Sequence, residues 1–211
     1  KESEKEIESL TKKLSKVQNE NERQLLLLER ESNNHFYIGL KHHSAGEYLD
    51  ASKEYKAATE LQPKSPEAYN NWGVALTEQA RTKSVSEAEA LYNEAFEKYR
   101  EVTKYKLDCH DAYNSWGVAL AELAQLKSGS EAEKLYNEAF EKYQQAIKNG
   151  GSYYNLACLY AIRNKKEEAL KYLERSLSRH DVSVEIVEKD KDWDGLRDDS
   201  DFKRIYSNTK G

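Results

Sequence analysis

His35, His42 and His43 stand seven and eight residues apart, on one face of the chain if the segment is helical. Imidazoles in such a row suit zinc. Seven residues of helix span about 10 Å, however, so His35 cannot share an ion with the other two. They read as surface or groove histidines. Near the C-terminus, Asp190, Asp192, Asp194, Gly195, Asp198 and Asp201 follow the spacing of a calcium-binding loop, in which alternating oxygens converge on a hard cation. The pattern is defective. Arg197 takes the place of a packing apolar residue, Asp201 is shorter than the usual bidentate Glu, and no second loop pairs with it. A calcium-responsive regulator working through 190–201 is a remote alternative, behind packing of this tail on the fold. Cys109 and Cys158 have no base visible in the sequence and read as inert thiols. No nucleophile, acid–base pair or metal set converges, so the sequence predicts no catalytic residue, no metal and no cofactor. It does not read as an enzyme.

Composition narrows the partners. The 211 residues carry 33 Lys and Arg against 38 Asp and Glu, a net charge of −5. A nucleic-acid surface needs clustered basic charge, so nucleic acid is not expected. No run of 18 apolar residues exists, and no membrane span is predicted. Two Cys make no disulfide framework, which suits the cytoplasm or another reducing compartment. A chain that opens at Lys1 is expected to be a fragment or a processed product. Only 2 Pro and 9 Gly interrupt abundant Glu, Lys, Ala and Leu, so helix is expected almost throughout.

An internal repeat supplies the elements. Residues 68–104 and 112–148 align without a gap at an offset of 44, with 26 of 37 positions identical. Each copy reads as two helices. The first opens at Ser65-Pro66-Glu67, a capping Ser before a Pro whose missing N–H costs nothing there. The second is expected to open at the capping boxes Ser86–Glu89 and Ser130–Glu133.

These residues resemble the tetratricopeptide repeat (TPR) family. The first unit reads Gly39, Ala51, Tyr55, Ala58 and Pro63; the second Trp72-Gly73, Ala95 and Tyr99; the third Trp116-Gly117, Ala139, Tyr143 and Ala146; the fourth Leu156-Ala157, Tyr160, Ala169 and Leu173. The resemblance implies an all-α fold, a right-handed α-solenoid of about four helix pairs. The array would span 34–178, with repeats at about 34–63, 66–106, 110–149 and 152–178. Within the pairs, Gly39 to Ala51 and Ala157 to Ala169 are 12 residues, but Gly73 to Ala95 and Gly117 to Ala139 are 22. The middle two pairs are therefore expected to be elongated by ten residues, as longer helices.

The ends differ. Residues 1–33 form a helical or coiled-coil extension: Ile7, Leu10, Leu14 and Val17 follow 3-4-3 spacing, continued by Asn21, Gln24 and Leu28. Residues 7–28 either join a second copy or cap the first repeat. Residues 179–211 form an acidic C-terminal capping segment, with Trp193, Leu196, Phe202, Ile205 and Tyr206 available to cover the last repeat.

The resemblance also implies a concave groove lined by the first helix of each repeat. Phe36, Tyr37, Asn70, Asn71, Asn114, Tyr154 and Asn155 fall on that face. Asn amides offer donor and acceptor to an extended backbone, and the aromatic side chains would grip side chains. The implied function is a non-catalytic scaffold or adaptor binding a peptide or helix of another protein. The alternative is an oligomeric scaffold assembled through the N-terminal helix. A clamp for the C-terminal carboxylate of heat-shock chaperones is excluded. Asn71 matches that clamp, but Phe36, Leu40, Asp111 and Ser115 stand where its other side chains, the cations among them, belong.

Overall fold

A computed structural model describes residues 2–17 and 19–209. Among the described residues every regular element is helical, and no helix is long and apolar enough to cross a membrane. The chain forms two compact units, Lys1–Leu107 and Asp108–Gly211.

The first unit holds α1 (Glu2–Leu14), α2 (Glu20–Ser44), α3 (Tyr48–Leu61), α4 (Pro66–Ala80) and α5 (Val85–Tyr105). The expected extension does not run through as one helix. Asn19 accepts the Asn21 N–H at 3.0 Å, and Glu20 and Glu22 occupy the next turn. That cap and its acids constitute a helix start, and they override the 3-4 spacing that continues across it. Helix α1 instead lies against α2 and buries Leu10. Asn21 is a first-turn residue, and Leu25 and Leu28 stay 67% and 42% exposed. Residue 33 lies inside α2, which continues into the first repeat.

Two pairs follow, α2 with α3 and α4 with α5. Each closes a ring of its second helix onto a glycine of its first. A Cβ on Gly39 would stand 2.6 Å from Tyr55 Cε1, and one on Gly73 2.6 Å from Tyr99 Cε1. Only a bare backbone admits the ring so closely. Polar groups fix the stack: Ser32 donates to the Ala58 carbonyl at 2.9 Å, and Gln79 donates to Ser52 Oγ at 2.7 Å.

The second unit holds α6 (His110–Gln125), α7 (Gly129–Lys148), α8 (Tyr154–Ile162), α9 (Lys166–Ser178), α10 (Val184–Lys189), a single 3-10 turn (Lys191–Trp193) and α11 (Ser200–Thr209). Gly117 repeats the same close approach: a Cβ there would stand 2.5 Å from Tyr143 Cε1. Lys142 lies over Trp116 at 3.8 Å, as Lys98 lies over Trp72 at 3.9 Å in the first unit. The α7–α8 connection turns at Gly150, with φ +92°.

The ten additional residues are helical in both long pairs, for the turns occupy only 81–84 and 126–128. The helix starts sit two residues earlier than the expected boxes. Ser84 begins α5, its N–H and Oγ both donating to Glu87 Oε2 at 3.3 and 2.6 Å. Helix α7 begins at Gly129, and Glu133 pairs with Arg163 instead of capping. Beyond α9 the tail folds back on the last pair. Trp193, Phe202 and Ile205 join Ala157, Leu173 and Leu177 in one core cluster, with Leu196 and Tyr206 packed against it.

Candidate functional site

The first helices of the pairs carry the residues expected to line a binding surface, and the two units treat them differently. In the first unit Phe36 and Tyr37 are adjacent on α2, their rings 5.6 Å apart, and Phe36 also lies 5.9 Å from Tyr55. The Tyr37 hydroxyl donates to Glu6 of α1. A cavity of about 340 Å³ opens here, bounded by Glu6, Asn33, Phe36, Tyr37, Lys64 and Glu67. It joins aromatic walls to charges of both signs. On α4, Asn71 donates to the Glu67 carbonyl at 3.0 Å, a bond within its own helix. The Asn70 carbonyl oxygen is buried with no partner. A buried acceptor left unpaired carries a desolvation penalty of about 1–3 kcal/mol.

In the second unit the predicted residues meet each other and the tail. The Asn155 amide donates to the Asn114 carbonyl oxygen at 2.8 Å, joining α8 to α6. Tyr154 does not project freely. Its hydroxyl donates to Asp190 Oδ2 at 2.7 Å and accepts from Trp193 Nε1 at 3.1 Å. The Cys158 thiol, one helical turn on, donates to the same Asp190 oxygen at 3.7 Å. Asp190 Oδ1 accepts the Asp192 N–H at 3.0 Å, which closes the turn. Arg197 donates to the Asp190 carbonyl at 2.6 Å. The tail thereby sets two carboxylates against the face of α8 that carries Tyr154 and Cys158.

Beside them lies a cavity of about 170 Å³ bounded by α6, α7, α8 and the 3-10 turn. Val118, Ala121, Leu159 and Ile162 are among its apolar walls, and Glu122, Gln125, Asn155 and Asp192 bring polar groups to it. Burial, then the neighbouring Asp190, pushes the Asp192 carboxyl up to about 6, with Glu122 and Asp194 adding to the shift. Burial is also the main cause that raises the Tyr154 hydroxyl and the Cys158 thiol far above their ordinary ranges, so both stay protonated at neutral pH. The Cys158 sulfur and carboxylate oxygens of Asp190 and Asp192 lie within 4.8 Å of one another. Among the described residues, these three bring donor atoms close enough together to offer them to a cation.

The acids of the remote calcium-loop alternative do not converge. Asp194 pairs with Arg197, Asp198 with Lys203, Asp199 with Lys166, and Asp201 with Lys166 and Arg204. Arg197, Lys203 and Arg204 of the segment and Lys166 of α9 engage these carboxylates, and Ser200 starts a helix where the loop would close. The histidines also separate. His35 pairs with Glu54 at 2.7 Å, His42 with Glu47 at 2.5 Å, and the His43 ring meets Tyr48. Sequence reasoning missed Glu122, Cys158, Asp190 and Asp192 as one site. The signals were present, Tyr154 and Cys158 at i, i+4 and alternating acids in the tail. Nothing in the spacing said that the tail docks on that face.

Comparison with known proteins bears on the fold. The TPR repeat family profile matches residues 39–79, within the first unit. None of the curated proteins matches the chain. Among solved structures, a thermophilic TPR protein of Thermus thermophilus is similar in fold, with a TM-score of 0.60 at 16% identity over 85% of this chain and 98% of that one. By its helix pairs and glycine–tyrosine closures the chain has an all-helical fold similar to that of a TPR protein, and its residues 39–79 match the TPR repeat family.

Proposed function

We propose that this chain is a non-catalytic protein-recognition module, a scaffold or adaptor that holds a peptide or helix of another protein against the first helices of its repeats. The TPR fold supports protein–protein interaction in general. The observation that carries the finer reading is the cavity beside Phe36 and Tyr37, where aromatic walls and polar groups of α1, α2 and α4 converge. Pockets that bind ligands combine such apolar walls with a few placed polar groups. Asn70 and Asn114 stand at equivalent positions on the first helices of their repeats, 44 residues apart, and Asn71 follows Asn70.

Peptides selected from a displayed random library on the full chain provide the test. Their affinity for Asn71→Ala/Asn114→Ala, measured by calorimetry, is expected to fall at least tenfold with the helical circular dichroism unchanged. Equal affinity would move binding away from this face.

A second reading is self-association through the N-terminal helices, favoured by the exposure of Leu25 and Leu28 on α2. Light scattering of the chain beside Leu25→Glu/Leu28→Glu separates the two readings. A monomer in both removes self-association.

A further inference from the structure

We propose that the cavity bounded by Glu122, Asn155, Cys158 and Asp192 receives a lysine or arginine side chain of the bound polypeptide. This rests on the peptide-recognition reading and names the chemistry that one part of the surface selects.

The tail sorts its acids into two sets. Asp194, Asp198, Asp199 and Asp201 each pair with a Lys or Arg of this chain. Asp190 and Asp192 form no ion pair among the described residues, although both are half-buried. Charge withdrawn from water without a counter-charge is unfavourable. In this chain the Asp190 carboxylate is satisfied by hydrogen bonds from Tyr154, Cys158 and the Asp192 N–H. Asp192 has the same thiol beside it, and its other charged neighbours, Asp190, Glu122 and Asp194, are all acids. It borders the cavity, which Glu122 of α6 also lines. A cationic side chain placed there would meet the Asp192 carboxylate, in a cavity that Glu122 makes more negative.

The rest of the cavity fits the same occupant. Its volume of about 170 Å³ suits one side chain rather than a folded segment. Val118, Ala121, Leu159 and Ile162 offer apolar wall to the methylene stem of Lys or Arg, which buries its carbons while its charge reaches polar groups. Gln125 and Asn155 supply amide carbonyls as further acceptors.

A metal ion is the rival cation, and the hydrogen bonds oppose it. Coordination by Cys158 and Asp190 would require ionising a thiol that burial keeps protonated. It would also take Asp190 from the Tyr154 hydroxyl that anchors the tail.

The test selects peptides from a random displayed library on the full chain at pH 7.5, and repeats the selection on Asp192→Asn/Glu122→Gln. Enrichment of Lys or Arg at one fixed peptide position, lost on the variant, is expected. In a selected peptide, norleucine for Lys or citrulline for Arg should weaken binding at least tenfold. The same exchange should change affinity on the variant less than twofold, because the charge it removes has no partner left there. Peptides enriched without a basic position would overturn this inference and leave the recognition reading standing. A chain that selects no peptide would sink both. Zinc or calcium alone, binding by calorimetry and abolished in Cys158→Ser, would reassign the cavity to a metal and overturn the inference as well.

Discussion

The Tyr154 hydroxyl donates to Asp190 at 2.7 Å, across 36 residues of chain, and so fastens the acidic tail to the first helix of the last repeat. It also accepts the Trp193 indole N–H at 3.1 Å, and Trp193 is 0% exposed. One phenol thus satisfies a half-buried carboxylate and a buried indole. Tyr154→Phe removes a donor and an acceptor together and leaves both partners unpaired. A loss of about 2–4 kcal/mol is expected from two such bonds, one of them to a charged group. Tyr160→Phe, on the same helix but half-buried, should lose less than about 1 kcal/mol. Urea unfolding of both variants checks the order.

Asp192 predicts a pH dependence of the unusual sign. Its folded value, about 6, lies above the ordinary carboxylate value of 3.8. Between those limits the folded chain holds more protons than the unfolded one, so this group's contribution to stability falls as pH rises through that window. Above pH 6 the full cost is present. Solvent reaches part of the side chain, and after a discount for screening the cost is about 1–2 kcal/mol. Asp192→Asn should therefore raise the melting temperature at pH 7.5 and leave it nearly unchanged at pH 3.5. A variant no more stable at pH 7.5 would show that the carboxylate is already compensated there. A binding surface that spends stability on a charge without a counter-charge is consistent with a cationic ligand.

Gly117 faces the Tyr143 ring, and the distance leaves no room for a methyl group. An added Cβ would stand 2.5 Å from Cε1 and 2.7 Å from Cδ1, with the ring itself buried. Gly117→Ala gains helix propensity of about 1 kcal/mol, but the overpacking it forces costs about 1–3 kcal/mol. A net loss is expected. Gly117→Ala combined with Tyr143→Leu should recover part of it, since the fourth pair uses Ala157 with Leu173 at the same two positions. Denaturant midpoints of the single and double variants test this.

The repeat itself was legible, since Gly39, Gly73 and Gly117 and their tyrosines need one another and each is a local pattern. The elongated middle pairs were equally readable, from the 22-residue spacing and the lack of Pro within it. Two kinds of feature were not. Register at helix starts depends on which of several Ser residues finds an acid three places on: Ser84 and Ser86 both qualify by type, and geometry chooses Ser84. Tertiary docking was hidden as well. The 3-4 spacing of Ile7 to Leu28 is compatible with one long helix, until the Asn19 cap with its acidic first turn starts a new one. Tyr154 was legible as a surface aromatic, but its capture by Asp190 requires the tail to return along α8. No spacing in the chain encodes that.

Helix starts give a last prediction, because the two long pairs share a sequence and cap differently. In α5 the Ser84 hydroxyl and N–H both reach Glu87. In α7 the chain enters through Gly129 at φ +59°, Ser128 makes no side-chain cap, and Ser130 lies in the first turn. Ser84→Ala removes a working cap and should cost about 1 kcal/mol. Ser130→Ala exchanges an uncommitted first-turn Ser for a better helix former and should be neutral within about 0.5 kcal/mol. Ser86→Ala, the start that spacing alone favours, should be as mild as Ser130→Ala. Equal losses at positions 84 and 86, read by urea unfolding, would return the α5 start to the Ser86–Glu89 register.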